Sequence, residues 1–205
     1  MNPDQHPDLT IVLLGKPGVG KSASGNTILG ESVFESRLSA KVVTTKISEQ
    51  TGNVFGKQIS VVDTPGILDT KDTEEKIKRR CQDLLKSGRR CLFLVVIRVG
   101  RFTKDDQKAV KAAMKVLGPQ GMKKSYLLFT GGDALKGSPV EDFIFEDEDG
   151  TLPHVVRRFE GAYHLFNNET DDEEQVRKLL LKTGHLRSQD QHVSTGTVTY
   201  FLHLL

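Results

Sequence analysis

The segment Gly15-Lys16-Pro17-Gly18-Val19-Gly20-Lys21-Ser22 limits what this chain can fold into more than any other. It satisfies G-x-x-x-x-G-K-[ST] in full, between an apolar run, Leu9 to Leu14, and a stretch from Ser22 to Leu29 that reads as a helix stopped by Gly30. A strand, a glycine-rich loop and a helix N-terminus in succession form a phosphate site. Backbone N–H groups curl round the β-phosphate, and the helix end adds partial positive charge. Lys21 is expected at the surface, reaching the β- and γ-phosphates, with Ser22 holding Mg²⁺. Ala23 extends the candidate contacts into the helix.

The remaining pattern alternates strands with helices. Lys46 to Phe55 and Gln58 to Val62 read as an antiparallel hairpin around Gly56-Lys57. Asp72 to Ser87 sets Ile77, Cys81, Leu84 and Leu85 on one helical face. Cys91 to Ile97 is a buried strand. Thr103 and Asp106 have capping-box spacing, opening a helix with Val110, Ala113, Met114 and Leu117 on its apolar stripe and Gly118-Pro119 at its end. Tyr126 to Phe129 reads as a strand, Val155 to Gly161 as a short helix and Tyr163 to Phe166 as a short strand. Thr170 with Glu173 begins a last helix carrying Val176, Leu179 and Leu180. The expected fold is α/β, a P-loop NTPase with a mostly parallel central sheet, one antiparallel edge strand and helices on both faces.

Composition narrows the class. In 205 residues, 37% are hydrophobic and 27% charged, which excludes a disordered chain, a collagen-like repeat and a disulfide scaffold. A net charge of +2 does not suggest a nucleic-acid binder. Cys81 and Cys91 lack metal-ligand spacing and read as free thiols. The N-terminus has no signal-peptide pattern, and the longest apolar stretch, Leu92 to Ile97, is too short to span a bilayer. A soluble intracellular protein is expected, and Glu146 to Asp149 reads as a solvated loop.

Asp63-Thr64-Pro65-Gly66 follows the apolar run Ile59 to Val62 and matches the D-x-x-G signature of GTPases. Asp63 is suited to Mg²⁺ through water, and the Gly66 N–H to the γ-phosphate. A Pro-Gly turn after a strand is common by itself, so the weight comes from its place after a P-loop. Thr44 stands where a switch threonine that coordinates Mg²⁺ would belong, or is one of two neighbouring loop hydroxyls with Thr45.

The run from Gly15 through Ala23-Ser24-Gly25-Asn26-Thr27-Ile28-Leu29-Gly30, then Phe34, then Asp63 to Gly66, resembles the GIMAP family. These are immunity-associated GTPases, related to septins and to the chloroplast outer-envelope import GTPases. Val99-Gly100-Arg101-Phe102-Thr103-Lys104-Asp105-Asp106-Gln107 resembles the box peculiar to that family, and the likeness runs from about Leu9 to Leu181. It implies a flexible N-terminus over 1–8, a G domain over 9–182 and a divergent tail over 183–205. It implies a Mg²⁺-dependent GTP/GDP switch with slow hydrolysis, joined across nucleotide faces into homodimers or oligomers. It assigns Thr44 as the switch threonine, Ser36 as a residue near the nucleotide, Thr130 to Asp133 as the base-reading motif, and Asn167 or Asn168 as a guanine contact. Cytoplasmic residence is expected, with attachment to intracellular membranes left open.

Three further expectations follow. The family's base-reading motif usually carries a basic residue where this chain has Gly131, so base choice survives with weaker affinity and an arginine at 131 tightens it. Ile67 occupies the place after the D-x-x-G glycine where many small GTPases orient water with glutamine, so intrinsic hydrolysis is slow. Arg101 is the candidate catalytic residue, acting on a partner's phosphates, or else it pairs locally with Asp105 or Asp106. The alternatives are a nucleotide-binding scaffold without hydrolysis and, less well matched to Asp63 and Asp133, a P-loop kinase using ATP.

Overall fold

The computed structural model describes residues 6–36, 46–146 and 150–187. β1 (Leu9–Leu14) is buried throughout. It lies between two parallel neighbours, β3 (Lys57–Asp63) and β4 (Cys91–Arg98), and helices cover both faces. β2 (Ser48–Val54) runs antiparallel to β3 at one edge, while β5 (Ser125–Thr130) and β6 (Tyr163–Leu165) extend the other edge in parallel. Among the described residues the sheet has six strands in the order β2-β3-β1-β4-β5-β6. The expected fold class is the one observed.

Side chains alternate along each strand and so feed two cores. Val12, Leu14, Phe93, Val95 and Ile97 pack beneath α2 (Lys71–Lys86) and α3 (Lys104–Met122). Leu9, Ile11, Leu13, Leu92 and Leu94 pack beneath α1 (Lys21–Leu29) and α6 (Glu173–Lys182). The tail's first residues stay with the domain, since Leu186 is buried in this second core. Cys81 and Cys91 are free and buried, and burial pushes the Cys81 thiol up to about 12. No helix among the described residues is long and apolar enough to cross a membrane.

Several boundaries differ from the sequence reading. The hairpin turns at Phe55-Gly56, both at positive φ, and Lys57 already belongs to β3. The α3 capping box forms as expected, but Gly118 (φ 60°) only breaks the helix, which resumes through Pro119 to Met122. A helix begun at Thr151, α5 (Thr151–Arg158), carries Pro153 in its first turn, where the missing N–H has no helical partner to lose. The helix α6 is capped by Asp172, which accepts from the Glu174 N–H, and not by Thr170. A 3-10 turn over Gly132–Leu135 and α4 (Val140–Ile144) gave no periodic signal, being under two helical turns each.

The loop after α1 is organised by two of its residues. The Asn26 carboxamide accepts from the N–H groups of Val33 and Phe34 and donates to the Phe34 carbonyl, at 2.8–3.0 Å. It also donates to the Ser36 hydroxyl at 3.3 Å. Gly25 leaves room for the Phe34 ring, whose edge lies 2.8 Å from where a Cβ would sit. Gly25→Ala should therefore lose about 1–2 kcal/mol in urea denaturation, overpacking outweighing the gain in helix propensity of about 1 kcal/mol. Adding Phe34→Leu should restore the loss; a Gly25→Ala protein as stable as its parent would show that the ring moves freely.

Candidate functional site

The C-terminal ends of β1, β3, β4 and β5 share one sheet edge, where an open α/β sheet binds its ligands. The loop Gly15–Ser22 leaves β1 there and turns into α1. Gly15 has φ 154°, and a Cβ on it would come within 2.8 Å of the Val96 carbonyl oxygen. The loop's carbonyls are taken up from behind. Ile67 N–H donates to Gly15 O at 3.1 Å, and the buried Thr130 hydroxyl donates to Val19 O at 2.6 Å. Thr64 Oγ1 donates to Leu13 O at 2.6 Å, tying the D-x-x-G segment to the end of β1. Gly66 lies so close to the Pro17 ring that a Cβ would stand 2.5 Å from it.

Lys21 is buried, not surface-facing as expected. Its ammonium donates to Lys16 O at 2.9 Å and Gly15 O at 3.3 Å, so the loop wraps its own cation. Burial lowers its pKa from 10.5 to about 8, against the opposing pull of Asp63 and Asp69. Ser22 Oγ donates to Asp63 Oδ2 at 2.6 Å. A hydroxyl and a buried carboxylate side by side are hard oxygen donors, a set that fits Mg²⁺.

Lys16 does not turn toward the loop's hollow. Its ammonium lies 2.7 Å from Asp106 Oδ1, with Thr103 Oγ1 at 3.5 Å, so only its backbone is left for phosphate. Burial pushes the Asp106 carboxyl up, but hydrogen bonds from Lys16 and Thr103 outweigh burial and hold it below its ordinary range. Asp106 thus joins the helix cap to the P-loop, a role that capping-box spacing alone did not disclose. Arg101 is exposed in the turn before this cap. Its two expected local partners are held by lysines, Asp106 by Lys16 and Asp105 by Lys108 at 3.2 Å. Ile67 is fully buried in the core.

The residues expected to read the base divide into two groups. Thr130 is spent on Val19 O, and Asn168 on α1, donating to Ser24 Oγ at 3.1 Å and accepting from Thr27 Oγ1 at 2.9 Å. Asn167 lies beside Gly132, its Cβ 3.5 Å from the position of a Gly132 Cβ. Its backbone is pinned by Gln175, at 2.8 and 3.0 Å, and its Oδ1 accepts from the Glu169 N–H. Asp133 is exposed, with no side-chain partner among the described residues. Gly131 is left-handed (φ 75°), so an arginine there would carry backbone strain, while Arg98 stands at ordinary contact distance, 3.7 Å, from where its Cβ would sit. Ala23, Ser36 and Asn168 line one cleft of about 330 Å³ between α1 and the start of α6. Thr44 lies outside the described residues.

The AIG1 family model matches residues 9–198. GTPase IMAP family member 8 of Mus musculus is 33% identical over 180 residues, covering 84% of this chain and 26% of that protein. Immune-associated nucleotide-binding protein 7 of Arabidopsis thaliana is 34% identical over 189 residues, 86% of this chain and 60% of that protein. The chain thus spans about a quarter of the first relative and three-fifths of the second. Toc33 from Arabidopsis thaliana shares the fold. A dimerisation-deficient mutant superposes with a TM-score of 0.64 at 23% identity, covering 87% of this chain and 85% of that one. Its complex with GDP and Mg²⁺ gives 0.62 at 23% identity, over 85% and 84%.

The Lys21 environment generates a pH prediction. Affinity for a polyphosphate ligand should fall about tenfold from pH 7 to 9, as an ammonium with a pKa of about 8 loses its proton. Lys21→Met should bind weakly at both pH values with no slope. A flat profile in the parent, measured by titration calorimetry, would exclude Lys21 as the phosphate's cation. Folding carries the opposite sign. The unfolded lysine keeps its proton to its ordinary 10.5, so the unliganded fold gains stability as pH rises from about 8 toward that value.

Proposed function

The chain belongs to the AIG1 family, and from that premise we propose that it binds GTP and GDP with Mg²⁺ and hydrolyses GTP slowly. The observation that carries this reading is the buried Lys21 ammonium beside the Ser22–Asp63 pair, on the sheet edge that also bears the exposed Asp133. Backbone N–H groups between Gly15 and Ala23, all but Pro17, which has none, hold the phosphates with Lys21; Gly66 N–H serves the γ-phosphate. Ser22 and Asp63 would hold Mg²⁺, with Thr44 joining them, and the ion neutralises phosphate charge when bound. Asp133 accepts from N1–H and N2–H₂ of guanine, and Asn167, closer to that turn than Asn168, donates from its amide. Ser36 and Asn168 support the cleft beside α1.

Hydrolysis needs a water-orienting group, and the buried Ile67 supplies none. Arg101 is the residue left to act, across a homodimer or oligomer joined at the nucleotide face. Its exposure and the capture of Asp105 and Asp106 by lysines support this reading. The same Ile67 favours a second reading, a scaffold that holds nucleotide without turnover. Two buried free thiols are compatible with residence in a reducing compartment.

Two measurements test these assignments. Asp133→Asn should lower GDP affinity by roughly 1.5–3 kcal/mol and admit xanthine nucleotides, which pair with an amide at that edge. Unchanged GDP affinity would remove Asp133 as the base reader. The GTPase rate per molecule should climb with protein concentration and stay flat in Arg101→Ala; a trans arginine contributes about 10³–10⁵ in rate. No turnover at any concentration, with GTP bound, establishes the scaffold. An Arg101→Ala protein that behaves as its parent leaves Arg101 a surface residue.

A further inference from the structure

Gly131 and Gly132, in the turn that presents Asp133, have no side chain to lay against a planar base. The space a Gly131 Cβ would face is bounded by Arg98, whose Cγ and Nε stand 3.7 and 3.8 Å from that position. Arg98 is the last residue of β4 and is in register with Thr130, so it stands beside the turn. Leu94 and Val96 of the same strand face the α1 core, and the two-residue period of a strand sends Arg98 to that side. The P-loop is on this side too, with Gly15 against Val96. Arg98 is exposed and forms no ion pair with Asp133 or any other described residue. A cation and a carboxylate therefore flank one turn without neutralising each other.

We propose that Arg98 covers the purine face of the bound nucleotide, the two glycines of the turn leaving that face without a side chain of their own. The proposal rests on the guanine-nucleotide reading above. A guanidinium is planar, delocalised and weakly hydrated, so it stacks on an aromatic ring where an ammonium would stay solvated. Asp133 then reads the base edge while Arg98 covers its face. Carrying the cation on a strand end leaves the turn free to adopt the left-handed conformation seen at Gly131. The contact is to the base, so it adds the same factor to every guanine nucleotide whatever its phosphate count.

Titration calorimetry of GDP and GTP against the parent, Arg98→Ala, Arg98→Lys and Gly131→Arg tests this. Arg98→Ala should weaken GDP and GTP by one common factor, roughly 3- to 30-fold, with the thermal midpoint of the nucleotide-free protein unchanged. Arg98→Lys should recover only part of the loss, and Gly131→Arg should bind more weakly than the parent. Unchanged GDP affinity in Arg98→Ala overturns the proposal. So does a loss that grows from GDP to GTP, which marks a phosphate contact, and so does tighter binding in Gly131→Arg. A parent protein that binds no guanine nucleotide overturns the functional reading and this inference with it; a parent that binds, beside an indifferent Arg98→Ala, overturns this inference alone.

Discussion

The site depends on where the P-loop's carbonyl groups go. A loop of this kind can offer N–H groups to an anion only if its C=O groups are satisfied elsewhere, because each buried and unpaired one costs about 1–3 kcal/mol. Here Gly15 O is taken by the Ile67 N–H and the Lys21 ammonium, Lys16 O by the same ammonium, Val19 O by Thr130 and Gly20 O by the Ser24 N–H. Donors thus arrive from the D-x-x-G segment, from β5 and from α1. The loop is held by the very elements that carry the Asp63 carboxylate and the turn presenting Asp133, and its geometry fixes theirs.

A fourth element joins through Lys16. The ion pair with Asp106 ties the loop to the first turn of α3, where the carboxylate also accepts from the Thr103 N–H at 2.9 Å. A carboxylate as buried as Asp106 is costly without its cation, so the pair fixes registry more than it adds stability. Its consequence is positional. The exposed turn containing Arg101 is anchored two residues later to the loop that would carry the phosphates, and not to the body of α3 alone.

Local features were legible in the sequence, and side-chain destinations were not. The run Leu9 to Leu14, the P-loop and the Gly30 stop fall where the pattern puts them, because each depends on a few adjacent residues. The pattern predicts a short helix over Val155 to Gly161, whereas α5 begins at Thr151, because a proline in the first turn, here Pro153, removes no helical bond. Lys16, Thr130 and Asn168 were assigned to nucleotide by their neighbours in sequence. Their partners are 87 to 144 residues away, on elements that no spacing rule links to them. The nearness of Arg98 to Gly131, across from β4 to the turn after β5, is hidden from the motif for the same reason.

The burial of Ile67 fixes the segment after Gly66 to the core. Residues 63–67 are held by Thr64 to Leu13, by Ile67 N–H to Gly15, and by the fully buried Ile67 side chain. Withdrawing that side chain from the core would cost about 1.5–3 kcal/mol, before the lost hydrogen bonds are counted. The next residue, Leu68, is 42% exposed, and α2 begins only at Lys71, capped by Thr70. Gly66 is therefore already seated, its backbone against the Pro17 ring. Residues 68–70 are the short connection to α2, the Asp69 N–H bonded to Gly66 O and Thr70 capping the helix, and α2 packs on α3, the helix that Asp106 ties to the P-loop. The segment after Gly66 is thus joined to the P-loop twice, directly through Gly15 O and around through α2, α3 and the Asp106–Lys16 pair.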